Sequence, residues 1–171
     1  MYSATSGGRG VYVVQLTVGI SEMKVSKNAG DTLVTYSLGS CIGVTLYDPD
    51  ACVGGMIHCM LPLSRLDPAK AKQNPQMFTD TGIPALIQSI LDNGGTRKRM
   101  IAKVAGAASP LNDNGMFKIG ERNYTVLRKV LWKNEILIAA EDVGGTIART
   151  MTLAISSGRT TIRSGGTERE L

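Results

Sequence analysis

The chain has 171 residues, 43% hydrophobic and 19% charged, and 19 Lys and Arg against 14 Asp and Glu give a formal charge of +5. This composition suits one globular domain, long enough to bury about 70% of its unfolded surface without staples. It argues against a membrane-spanning helix, because no apolar run approaches ~20 residues, and against nucleic-acid binding, because aromatics are only 5% of residues and form no stacking platform.

Residues 1–10 are rich in Ser and Gly and are expected to be disordered, with one domain over 11–163 and a frayed tail over 164–171. The β-branched run from Val11 to Val18 predicts a strand, the cluster from Lys27 to Asp31 a turn, and Leu33 to Ser37 a second strand. Gly39 and Ser40 then break the strand pattern, permitting a bend that exposes Cys41 and aims backbone N–H groups at a developing oxyanion. Ile42 to Tyr47 and Val53 to Leu61 read as strands joined by the turn Asp48-Pro49-Asp50. The polar stretch after Pro62 is expected to be a loop beside a substrate groove.

Ile83, Leu86, Ile87, Ile90 and Leu91 recur at helical spacing, with Thr81 as the expected N-cap and Gly94 as the stop. Met100 to Ala105 predicts a strand. Gly120 to Lys133 predicts a second helix, with Val126, Leu127, Val130 and Leu131 on one face. Ile136 to Ala140, Ile147 to Ala154 and Thr160 to Arg163 complete the strands. Many strands with two helices define a layered α+β domain.

The segment from Thr35 to Pro62 carries the chemistry, because it holds the sole histidine and all three cysteines. If Tyr47 faces Gly54 across the turn, Gly43 faces His58 and Cys41 faces Met60. Cys41 and His58 then become diagonal neighbours, roughly 7–8 Å apart, on one face of the hairpin. Gly43 and Gly54 share that face and leave room for a substrate backbone, whereas Ile42, Val44, Leu46, Val53, Ile57 and Cys59 point the other way, toward the core. A thiol beside an imidazole suits nucleophilic chemistry, with Thr35, Ser37 and Ser40 as hydroxyls able to steady the ring. Two other readings stay open: cysteine and histidine as ordinary buried residues, and a zinc site from Cys41, Cys52, His58 and Cys59, which lacks the short paired spacing of structural zinc sites. An odd number of thiols without close pairs fits a reducing cytoplasm.

The succession T-x-x-L-G-S-C from Thr35, Tyr47-Asp48-Pro49, and G-G-M-x-H-x-M-L-P from Gly54 resembles the CheD family of chemoreceptor glutamine deamidases. Further matches stand at Ile119-Gly120-Glu121-Arg122-Asn123 and from Ala140 to Gly145. The resemblance implies a three-layer sandwich of two stacked β-sheets with helices on one side. It further implies Cys41 as nucleophile, His58 as general base and Thr35 as the hydroxyl that orients the histidine. The reaction implied is glutamine hydrolysis to glutamate on receptor cytoplasmic helices through a thioester, needing neither metal nor organic cofactor, with a CheC-type phosphatase as partner. For the downstream motifs the expectation is structural: Glu121 pairs with Arg122, Asn123 bonds backbone, and Gly144-Gly145 makes a turn. Ala105-Gly106-Ala107-Ala108 departs from the family's usual Gly-Gly-Ala, which leaves any close backbone approach there in question.

Overall fold

The computed structural model describes residues 13–109 and 117–171. Its strands are Val14–Thr17 (β1), Met23–Ser26 (β2), Asp31–Leu38 (β3), Ile42–Asp48 (β4), Val53–Cys59 (β5), Ile101–Gly106 (β6), Ile138–Val143 (β7), Arg149–Ala154 (β8), Thr160–Ser164 (β9) and Thr167–Glu170 (β10). Its α-helices are Pro68–Gln73 (α1), Thr79–Asp92 (α2) and Ile119–Lys133 (α3). The expected disorder of residues 1–10 lies outside the described residues.

The strands form two five-stranded sheets, one ordered β1-β3-β8-β9-β10 and the other β2-β5-β4-β6-β7. In the second, β4 lies between β5 and β6 and every residue of β4 and β5 is buried. This explains their near-continuous apolar character, since a strand covered on both faces loses the polar half of its alternation. On one face Ile42, Val44, Leu46, Val53, Ile57 and Cys59 pack against Ile83, Leu86, Ile87 and Ile90 of α2 and Leu127 and Leu131 of α3. On the other, Met56 and Ala105 meet Leu33, Leu38, Met151, Leu153 and Ile162 of the first sheet. Sheet, sheet and helices thus form the three layers of an α+β sandwich. Each large side chain so enclosed contributes about 1.5–3 kcal/mol of hydrophobic stabilisation.

The hairpin register is the one the turn predicts: Tyr47 opposes Gly54, Gly43 opposes His58, and Ile42 opposes Cys59. Asp48 sets the turn. Its buried carboxylate accepts hydrogen bonds from the N–H groups of Asp50 (3.0 Å), Ala51 (3.2 Å) and Thr96 (2.8 Å) and from Nε of Arg99 (2.9 Å).

Four local expectations are corrected. The face carrying Gly43 and Gly54 is closed: a Cβ on Gly43 would lie 2.6 Å from Leu38 Cδ1, and one on Gly54 2.8 Å from Ile155 Cδ1. The glycines admit the other sheet, leaving no open slot for substrate there. The stretch after Pro62 is helical, with 3₁₀ turns at Ser64–Leu66 and Pro75–Met77 flanking α1. Thr81 sits inside α2, whose N-cap is Phe78, and its hydroxyl bonds the Pro75 carbonyl at 2.6 Å. The expected frayed tail is strand β10, paired antiparallel with β9 across Gly165 and Gly166, both at positive φ. Its Thr-Glu-Arg-Glu side chains are all exposed, so the segment has no apolar alternation, and its pairing rests on backbone bonds and on Arg163–Glu168 and Arg159–Glu170 contacts.

Candidate active site

Thr35 and His58 come from different sheets. Thr35 belongs to β3 of the first, where a register shift between Thr35 and Leu38 marks a bulge with Ser37 at φ 57°. His58 belongs to β5 of the second. The two side chains meet across the sheet interface, both fully buried, with Thr35 Oγ1 2.7 Å from His58 Nδ1. The Thr35 hydroxyl also lies 2.7 Å from the Val18 carbonyl, which can only accept. A hydroxyl has one proton, so Oγ1–H donates to Val18 and Oγ1 accepts from Nδ1–H. The ring is thereby held in the tautomer whose lone pair is on Nε2, and Nε2 is buried without a hydrogen-bond partner. A buried imidazole nitrogen with an unused lone pair is a base held ready for a proton.

Cys41 is half-buried and sits in the bend just before β4. Because Gly43 opposes His58, Cys41 lies diagonally across from the ring along the hairpin; its Sγ makes no hydrogen bond to Nε2 in this structure. Catalytic hydrogen bonds commonly tighten only when substrate arrives. Burial pushes the Cys41 thiol up, partly offset by a hydrogen bond to its own backbone N–H, and burial pulls His58 down to about 4. Both groups therefore rest neutral near pH 7. A neutral thiol near a neutral imidazole is the resting state suited to general-base rather than preformed ion-pair chemistry.

The bend is braced from below. The Cys41 carbonyl accepts from Ala107 N–H and the Gly39 carbonyl from Ala108 N–H, each at 2.8 Å. Gly106 has φ 105°, and a Cβ there would lie 2.4 Å from the Cys41 carbonyl oxygen. The close backbone approach left in question by this segment is therefore present at Gly106. Arg149, almost wholly buried, bonds Asp142 (2.9 Å) and the carbonyls of Gly144 (2.7 Å) and Ile147 (3.0 Å), and Gly144 N–H bonds the Gly106 carbonyl at 2.9 Å. Asp142 and Gly144 of the Ala140 to Gly145 motif thus help brace the bend. Glu121 pairs with Lys118 at 3.5 Å, not with the expected Arg122, because Lys118 lies three residues earlier on the same side of the first turn.

Of the other hydroxyls, Ser37 is exposed, and Ser40 contributes its carbonyl to a contact with Asn123. The four groups of the zinc reading do not assemble. Cys52 is exposed in the turn at the far end of the hairpin, and among the described residues no three His, Cys, Asp or Glu side chains gather in a way that could hold a metal. Cys59 faces the helix layer, its thiol pushed up by burial. A concavity of about 640 Å³ lies between α3 and β7 and is lined by Tyr124, Arg128, Trp132 and Leu137 among others. None of Thr35, Cys41 or His58 lines it.

The family described as CheD chemotactic sensory transduction matches residues 60–164, beginning two residues after His58. A protein of Solibacter usitatus (strain Ellin6076), named "Probable chemoreceptor glutamine deamidase CheD", is 49% identical over 157 residues, covering 92% of this chain and 93% of the relative. "Probable chemoreceptor glutamine deamidase CheD 1" of Syntrophus aciditrophicus (strain SB) is 52% identical over 155 residues, covering 90% of this chain and 97% of that one. The chain belongs to the CheD family. Among solved structures, the hypothetical protein YfiH of Bacillus licheniformis superimposes with a TM-score of 0.47 at 14% identity, over 70% of this chain and 49% of its own.

Sequence reasoning reached the thiol, the imidazole and the hydroxyl through their motif. It named the segment around Gly106 but left the close backbone approach there open, and it missed Arg149, which braces the bend. A glycine flanked by small residues at a strand end, and an arginine opening an apolar strand, were the available signals.

Proposed function

We propose that this chain hydrolyses glutamine side-chain amides to glutamate on chemoreceptors, as the names of its relatives suggest, and that it does so in the cytoplasm, where its odd number of thiols would stay reduced. The observation that carries the reading is the His58 ring, whose Nδ1 proton is committed to Thr35 and whose Nε2 is unpartnered beside the bend of Cys41. In this reading Nε2 takes the Cys41 thiol proton as the sulfur attacks the amide carbon. The C–N bond breaks, the proton passes from the imidazolium to the leaving nitrogen, and ammonia departs, leaving a thioester. His58 then draws a proton from water as hydroxide adds to the thioester carbon, the C–S bond breaks, the imidazolium returns its proton to the sulfur, and the side-chain carboxylic acid leaves and ionises to carboxylate in solvent. Thr35 holds the ring in the required tautomer throughout. Cys41, His58 and Thr35 are thus nucleophile, general base and orienting hydroxyl. The same route would accept a glutamate methyl ester, with methanol leaving in place of ammonia.

The test is a purified receptor cytoplasmic fragment incubated with the enzyme, with peptide masses and released ammonia followed together. Glutamine becoming glutamate at discrete positions with stoichiometric ammonia is expected. A fragment unchanged by active, folded enzyme would overturn the reading. The resemblance also supplies a CheC-type phosphatase as partner. Co-purification with Cys41→Ala tests this separately, since association should survive loss of the nucleophile.

A further inference from the structure

Cys41 precedes the last paired rung of the hairpin. Ladder pairing between β4 and β5 ends at Ile42 and Cys59, so beyond that rung no strand bond fixes Ser40 and Cys41 against Met60. A side chain from the helix layer spans the gap. Asn123 of α3 is fully buried, its Nδ2 donates to the carbonyls of Ser40 (3.0 Å) and Met60 (3.2 Å), and its Oδ1 accepts from the Thr79 hydroxyl (3.0 Å). The orientation of the amide follows from its partners. Two carbonyls demand two N–H donors, so the NH₂ faces the hairpin. Gly120, three residues earlier, makes the reach possible. A Cβ there would lie 2.6 Å from the carbonyl oxygens of Ala107 and Ala108, the residues whose N–H groups hold the bend.

We propose that Asn123 is a positioning residue: its amide replaces the missing rung and sets Cys41 Sγ against His58 Nε2. This rests on the reading of Cys41 and His58 as nucleophile and base. Asn123 acts on the segment next to each of them, one residue before Cys41 and two after His58. Losing it lets the thiol wander relative to the ring without disturbing the Thr35–His58 contact, so it should lower kcat more than it raises KM.

The test uses the full chain carrying Cys52→Ser, which removes the exposed competing thiol. Iodoacetamide alkylation of Cys41 is followed across pH for this parent, His58→Ala, Asn123→Ala and Asn123→Asp, with thermal unfolding to verify folding and receptor turnover as a second arm. His58→Ala should change the pH profile. Asn123→Ala should move the profile the same way and lower kcat about tenfold or more, with KM within about twofold. Should Asn123→Ala not fold, Thr79→Val, which frees the Oδ1 end and also removes the hydroxyl's contact with the Leu61 carbonyl, is read in the same way. Asn123 variants that keep the parent profile and kcat, while His58→Ala changes both, would overturn the positioning role alone. No change even in His58→Ala would overturn the thiol–imidazole reading beneath it.

Discussion

At the scale of single residues the account turns on one proton. The Thr35 hydroxyl faces a carbonyl on one side and an imidazole nitrogen on the other, each at 2.7 Å, and that arithmetic alone puts the histidine lone pair on Nε2. Thr35→Val should lower kcat at least about tenfold, within the ~10²–10⁴ that a general base contributes, whereas Thr35→Ser should restore most of it; steady-state kinetics on a receptor fragment decides. The ring also carries a pH signature. Burial depresses the His58 pKa in the fold from 6.5 to about 4, so the unfolded chain binds more protons between those values. Its contribution is fully present above about pH 6.5 and is lost as pH falls toward 4, about 3 kcal/mol in all. Urea midpoints should fall over that window in the wild type, with a shallower fall in His58→Gln. Thr35, Cys41 and His58 were legible because they stand within a recognisable pattern. The hairpin register set Cys41 diagonal to His58 and the resemblance implied Thr35 as the hydroxyl on the ring; spacing alone left Thr35, Ser37 and Ser40 open, since the choice depends on a bulge that no local propensity reveals.

Elements explain why the hairpin is so well determined. The Asp-Pro-Asp turn was legible, and with it the register, because turn chemistry and the two apolar runs admit one alignment that buries both. The structure adds that Asp48 is the keystone: although burial raises its pKa, the Arg99 guanidinium and the N–H groups of Thr96, Ala51 and Asp50 bring it down to about 2. Asp48→Ala leaves those donors unpaired and should cost at least about 2 kcal/mol, seen as a lower denaturant midpoint with unchanged m. Elements that expose most of their side chains stayed illegible. Strand β2 is only partly buried, β10 is exposed along its whole length, and α1 buries no residue; none has the apolar period that would announce it.

At the scale of the whole molecule the candidate site straddles a layer boundary, with Thr35 on one sheet and His58 and Cys41 with the other. The geometry of the candidate site therefore depends on sheet-on-sheet packing. Leu38 fills the space above Gly43, the residue opposite His58. Gly43→Ala should overpack this contact, costing about 1–3 kcal/mol and lowering activity, and Leu38→Val in the same chain should recover part of both. The arrangement as two stacked sheets with helices on one side followed from the family resemblance; pattern alone reached a layered α+β domain, because nothing in a strand's own sequence says which sheet it joins.

The most direct test of the central claim is the rate of glutamine-to-glutamate conversion in a receptor fragment by Cys41→Ala and His58→Ala beside the wild type, each verified as folded. Cys41→Ala is expected at the uncatalysed background and His58→Ala slower than wild type by about 10²–10⁴-fold. Conversion by Cys41→Ala clearly above that background would contradict the claim.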